Sequence, residues 1–309
     1  MRLAIANELR KIAKADPKLY LMTGDLGYGV FDFIQRKFPK QYTNVGISEQ
    51  FMSSAAAGMA LTGMTVITYS IGNFNTLRVI EQIRNDICYH NAHVIIISVG
   101  GGFAYGSGGM SHHATEDISM MRVLPNMRVF VPADAKEAVA CLHEAIEHEG
   151  PAFIRLGVGG ETEQYQKEES FDVNSLNFVY GEDSFCADVA IIATGPILSE
   201  AVKAAKMLEE QGNDVCVFSC PSVKPFDFET LDDIMINTKL IATVEENQMS
   251  GGLGGTVAEF LAGHNEQGAK LKRIGLMDTF TSVVGDHDYL ALNYGLDAQS
   301  ICDEILDNL

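Results

Sequence analysis

Residues 128–156 read RVFVPADAKEAVACLHEAIEHEGPAFIRL, and this stretch decides the fold class. Short runs of β-branched and aromatic residues at 128–131 and 152–156 flank a segment with helical apolar spacing, the pattern of a strand–helix–strand unit. Asp134 stands where a helix N-cap is wanted, and Gly150-Pro151 ends the helical pattern. Working outward, strand patterns at 19–23, 65–69 and 93–99 alternate with helical patterns at 48–62, 75–90 and 114–122. An α/β fold with a doubly wound, parallel sheet is therefore expected.

After Leu156 the pattern breaks into a glycine-rich turn and the acidic stretch ETEQYQKEES, which has no apolar period. A second alternating unit follows, with strands expected at 188–193, 214–219, 239–244 and 271–276 and helices at 197–211, 227–236, 253–263 and 297–308. The expected organisation is a first domain over 1–160, a linker over 161–185 and a second domain over 186–309.

Size and composition agree with this plan. The 309 residues suffice for two domains with separate cores, and 47% hydrophobic with 20% charged residues is a globular composition. The longest apolar runs, at 94–97 and 189–193, are strand-sized and far short of the ~20 residues of a membrane helix. The N-terminus mixes charges with helically spaced apolar residues, as a first helix does and a signal peptide does not. Six cysteines occur without a CxxC pair, so reduced thiols in a cytoplasmic protein are expected. The formal charge of −19 opposes binding to nucleic acid or anionic membrane, and any phosphate must be met by a local basic group.

Three segments carry chemistry. Residues 44–50, NVGISEQ, place Glu49 at the start of an alanine-rich helix, where a carboxylate also suits the helix dipole or a cap with Ser48 or Asn44. Residues 68–78, TYSIGNFNTLR, put Tyr69 and Phe74 at a strand-to-helix turn. Residues 100–109 hold six glycines after a strand, where α/β sheets bind ligands, and lead into His112 and His113. Imidazole suits proton transfer near neutrality; shared metal binding by the two histidines is the rival reading. Arg155, ending its strand, suits a bidentate phosphate contact or a surface or interdomain salt bridge.

Together these segments resemble the thiamine-diphosphate enzymes of the transketolase family. NVGISEQ is similar to the pyrimidine-domain motif NVGIAEQ, SHHATE to THQPVE, and the TVEE and GGLG segments at 243–246 and 251–254 to the C-terminal domain. The resemblance implies that Glu49 hydrogen-bonds N1′ of the aminopyrimidine, favouring the imino tautomer that removes the thiazolium C2 proton. It implies that Phe74, or else Tyr69, stacks on the pyrimidine. It further implies that His112, with His113 beside it, faces the substrate carbonyl, and that Arg155 holds the sugar phosphate. Gly108 stands where the family has an aspartate, so the usual sugar preference does not transfer.

The family's GDG motif with a downstream asparagine is not found here, and Gly24-Asp25-Leu26-Gly27 does not match it. The resemblance therefore implies the C-terminal subunit of a split transketolase, with Mg2+ or Ca2+ and the cofactor diphosphate held by a partner subunit in an α2β2 assembly. A β subunit of a 2-oxo-acid dehydrogenase and a deoxyxylulose-phosphate-synthase-like enzyme are the alternatives within the same chemistry. A catalytically silent scaffold is the alternative outside it.

Overall fold

The structure is a computed structural model and describes every residue except 160, 164–170, 185–187 and 265–267. Two mostly parallel sheets form its centre. The strands of the first half are β1 (Leu19–Thr23), β2 (Tyr42–Asn44), β3 (Thr65–Ile71), β4 (Val94–Val99), β5 (Arg128–Phe130) and β6 (Ala152–Leu156). Those of the second half are β7 (Asn177–Tyr180), β8 (Val189–Thr194), β9 (Val215–Ser219), β10 (Ser222–Lys224), β11 (Leu240–Gln248) and β12 (Lys270–Leu276).

The first sheet runs β10-β5-β6-β4-β3-β1-β2 and the second β12-β11-β8-β9-β7. All residues of β4, VIIISV, are buried, as expected of a central parallel strand covered by helices on both faces. Fully burying each isoleucine there contributes about 1.5–3 kcal/mol. The helix Ala135–Glu147 begins as read from the sequence, with the Asp134 side chain accepting from the N–H groups of Lys136 and Glu137.

Three strands were not visible in the pattern. β2 and β10 have only three residues each, too short for an alternation to register, and β7 lies inside the expected linker 161–185. That linker is corrected at its far end, where β7 pairs antiparallel with β9 in the second sheet. Its stretch 164–170 falls outside the described residues. β10 crosses the expected division: it comes from the second half and pairs antiparallel with β5 of the first. The helix expected at 75–90 is broken into a 3-10 turn (Leu77–Val79), one α turn (Ile80–Gln82) and a π turn (Ile83–Cys88). Cys88, Cys141, Cys220 and Cys302 are free and buried, whereas Cys216 is disulfide-bonded, which corrects the expectation of thiols at that position. Among the described residues no helix is long and apolar enough to cross a membrane.

The two halves are joined by buried polar groups. Arg155 Nε donates to Asp117 Oδ2 at 2.9 Å, and its Nη2 donates to the carbonyls of Ala114 and Glu246 at 2.8 and 2.9 Å. Glu246 accepts from the Phe103 N–H and pairs with His287 Nε2 at 2.9 Å. The hydrogen bond and charge of Glu246 push His287 up to about 9. Burial works to raise the Glu246 carboxyl, but His287, Arg155 and the Phe103 N–H outweigh it and leave it lowered.

Two outcomes follow from this interface. Asp117→Ala leaves the Arg155 guanidinium buried without its counter-charge, so denaturant unfolding should show a loss of about 3–5 kcal/mol. Because the His287 pKa is raised on folding, its stabilisation is complete below the unfolded value near 6.5 and disappears as pH rises through about 9. The difference in melting temperature between wild type and His287→Gln should accordingly shrink from pH 6.5 to pH 9.5.

Candidate active site

In the first sheet β1 lies between β2 and β3, so the chain reverses its winding direction between β1 and β3. Crevices at such switch points, at the carboxyl ends of the strands, are where α/β sheets bind ligands. Gly24 follows β1, Ser70 lies near the end of β3, and Glu49 begins the helix Glu49–Ala60 that returns from β2. A Cβ on Gly24 would lie 3.2 Å from both Glu49 Cγ and Ser70 Oγ, so the three pack closely and a larger residue at 24 would press on the carboxylate.

Glu49 is only 3% exposed. It makes no cap with Ser48, which has no side-chain cap bond, and Asn44 Oδ1 instead accepts from the Asp25 and Gly46 N–H groups. Its partner is Arg78, whose Nη1 lies 2.8 Å from Glu49 Oε2. The Arg78 guanidinium also sits 4.1 Å over the centroid of the Phe74 ring. Phe74 in turn meets the His112 ring at 5.4 Å in an edge contact, so Glu49, Arg78, Phe74 and His112 form one continuous cluster.

The turn bearing Phe74 and the loop bearing His112 are tied together by Asn73, whose Nδ2 donates to the carbonyls of Ser111 and His113 at 3.1 and 2.9 Å. His112 Nδ1 lies 3.0 Å from Ser111 Oγ. A Cβ at Gly108 would come within 2.8 Å of His112 Cβ and Cγ. The glycine that replaces the family aspartate thus leaves the space His112 occupies.

Three expected site residues have other employment. Tyr69 alternates with Ser70 along β3 and so points to the opposite face of the sheet. There it is 1% exposed and packs edge-on against Phe31 at 4.7 Å, with burial pushing its hydroxyl well above the usual range. It cannot offer a ring face to a cofactor. His113 is buried, with Nδ1 2.7 Å from Thr281 Oγ1 and Nε2 2.9 Å from the Gly106 carbonyl, so both nitrogens serve the loop and not a substrate. The two histidines face different neighbours and do not converge on one point.

Arg155, expected to hold a phosphate, is 3% exposed and neutralised by Asp117. It borders a cavity of about 340 Å³ whose lining is of mixed charge, with Glu161, Glu200, Glu246 and Asp288 beside Lys203 and His287. The structure shows a buried salt bridge within the first half, to Asp117, and a hydrogen bond from the same guanidinium to the Glu246 carbonyl of the second half.

The residues that sequence reasoning missed are Gly24, Ser70, Asn73 and Arg78. A signal existed for Arg78, an arginine four positions after an aromatic, the spacing that brings side chains together on one turn.

The pyrimidine end of thiamine diphosphate fits this cluster on three counts. A buried carboxyl group and an aromatic face are bridged by one guanidinium. The guanidinium now spanning both shows that a planar nitrogen cation suits the space. Ser70 Oγ, beside Glu49, is buried and has no hydrogen-bond partner among the described residues. Among the described residues no group of three or more His, Cys, Asp or Glu side chains is placed to hold a metal ion.

Comparison with known proteins agrees with this geometry. The sequence matches the family described as "Transketolase, pyrimidine binding domain" over residues 1–159 and "Transketolase, C-terminal domain" over 184–301. It is 34% identical over 271 residues to an apulose-4-phosphate transketolase subunit of Actinobacillus succinogenes, covering 87% of this chain and 85% of that one. It is 30% identical over 310 residues to the corresponding apulose-4-phosphate transketolase subunit of Phocaeicola vulgatus, covering 99% and 96%. The 1-deoxy-D-xylulose-5-phosphate synthase of Syntrophus aciditrophicus is 34% identical, but this chain spans only 45% of its length. A split-gene transketolase solved as an inactive β4 tetramer superimposes with a TM-score of 0.89 at 34% identity, covering 99% of this chain and 97% of that chain. With both halves matched in order and the switch-point glutamate in place, the chain belongs to the transketolase family, as a pyrimidine-binding domain followed by a transketolase C-terminal domain.

Proposed function

We propose that this chain is the C-terminal subunit of a split, thiamine-diphosphate-dependent transketolase that transfers a two-carbon ketol unit between sugar phosphates. The observation that carries this reading is Glu49, buried at the β1/β3 switch point and joined through Arg78 to the Phe74 ring, which meets His112. Support comes from relatives of nearly the same length that are themselves transketolase subunits.

Thiamine diphosphate, when bound, supplies a thiazolium carbon able to carry the two-carbon unit. Glu49 holds a proton at N1′ of the pyrimidine, in a pocket that excludes water. Phe74 fixes the plane of that ring, and Asn73 keeps the His112 loop against it. His112, in edge contact with Phe74, moves a proton at the substrate carbonyl oxygen.

The diphosphate, with Mg2+ or Ca2+, is assigned to a partner subunit, the two chains meeting as α2β2 at the active site. The domain division is proposed as 1–160 and 186–309, with β7 (Asn177–Tyr180) joining the second domain, and the cytoplasm as the location. Deoxyxylulose-phosphate-synthase-like activity is the second reading, favoured by identity to such enzymes over 299 residues.

In the pair reconstituted with its partner, Glu49→Gln should lower turnover of a ketose phosphate by about 10²–10⁴-fold and slow exchange of the thiazolium C2 proton in parallel. Unchanged turnover and exchange would instead identify a silent scaffold, and turnover of a 2-oxo acid in preference to a ketose phosphate would reassign the reaction. His112→Ala should lower kcat/KM for the ketose phosphate by about 10²-fold or more, measured by steady-state kinetics.

A further inference from the structure

Arg78 occupies the place that the reading above gives to the cofactor's ring. Its guanidinium is planar and cationic, lies 4.1 Å over Phe74 and reaches Glu49 Oε2 at 2.8 Å. An aminopyrimidine that stacks on Phe74 and hydrogen-bonds Glu49 must touch the same two groups. Phe74 has two faces, but only the one turned toward Glu49 allows both contacts at once, and that is the face Arg78 covers.

Arg78 is also able to leave. Its side chain is 41% exposed, whereas Glu49 is 3% exposed. An ion pair with one end in solvent is weak, and so is an exposed cation–π contact, so water readily replaces both on the arginine side. The carboxylate cannot move in the same way, because Gly24 and Ser70 close around it.

We propose that Arg78 is a displaceable stand-in for the aminopyrimidine. In the cofactor-free chain it neutralises buried Glu49 and shields the Phe74 face; cofactor binding expels it toward solvent. The inference rests on the pyrimidine site proposed above. The consequence is a reduction in apparent cofactor affinity by the fraction of molecules whose site is free of the arginine. A loaded site, in exchange, no longer has a guanidinium bonded to the glutamate oxygen that the ring nitrogen needs.

The test is calorimetric titration of thiamine diphosphate, with Mg2+, into the reconstituted pair, together with stopped-flow association rates. Arg78→Met, which keeps the stem and removes the charged plane, should lower the dissociation constant about three- to tenfold and raise the association rate. Arg78→Lys, which keeps a charge for Glu49 but not a plane for Phe74, should fall between the two. A dissociation constant raised or unchanged in Arg78→Met overturns the stand-in, and a raised one makes Arg78 a positioning residue for Glu49. Glu49→Ala and Phe74→Ala separate the two levels of argument. If both weaken binding while Arg78→Met fails to tighten it, only the stand-in falls; if neither weakens binding, the pyrimidine site falls with it.

Discussion

One buried ion pair holds this molecule in its working shape. Arg155, on β6, and Asp117 are both buried, and the arginine Nη2 donates to the Ala114 carbonyl of the histidine loop and the Glu246 carbonyl of the second half. Burial of a guanidinium is costly unless it is paired and hydrogen-bonded, and here acceptors from three separate segments meet its Nε and Nη2. The loop carrying His112, the short helix Asp117–Arg122 and the end of β11 are thereby brought to a common point. An arginine that pattern alone would send to a substrate is instead the pin on which the site hangs.

The adjacent glutamates of β11 show how strand alternation divides labour. Glu245 and Glu246 are both buried and point to opposite faces. Glu245 receives the N–H groups of Leu253 and Gly254 at the start of the helix Leu253–Ala262, and burial nevertheless pushes it up to about 7. The glycine-rich turn before that helix has the form of an anion site, and the chain's own carboxyl fills it. Glu246 meets an imidazolium and falls below its ordinary value. Two identical side chains, one residue apart, thus take opposite protonation tendencies from their surroundings, Glu245 bracing the second half from within and Glu246 tying it to the Phe103 N–H of the first.

The cluster around Glu49 is built from modest parts. A carboxylate is kept out of water by Gly24 and by a serine with no partner of its own among the described residues, and an asparagine fastens the histidine loop over the aromatic turn. None of these contacts performs chemistry alone. Their joint effect is to leave an acid, a ring face and an imidazole along one wall, at the point where the winding of the sheet reverses.

The sequence by itself determined the α/β class, the long strands and the helix capped by Asp134, and named Glu49, Phe74 and His112 as candidates. Those features follow from local period and local motif: burial on both faces makes β4 continuously apolar, and Asp134 caps its own helix. Only the tertiary structure decided that Tyr69 faces the core, that His113 and Arg155 serve the scaffold, that β10 crosses between the halves, and that Arg78 meets Glu49. Each of these depends on which groups 29 to 168 positions away arrive beside a side chain, as in Arg78 with Glu49 and His113 with Thr281. A residue's type states what bonds it is able to make, and the packed sheet determines which partners are within reach.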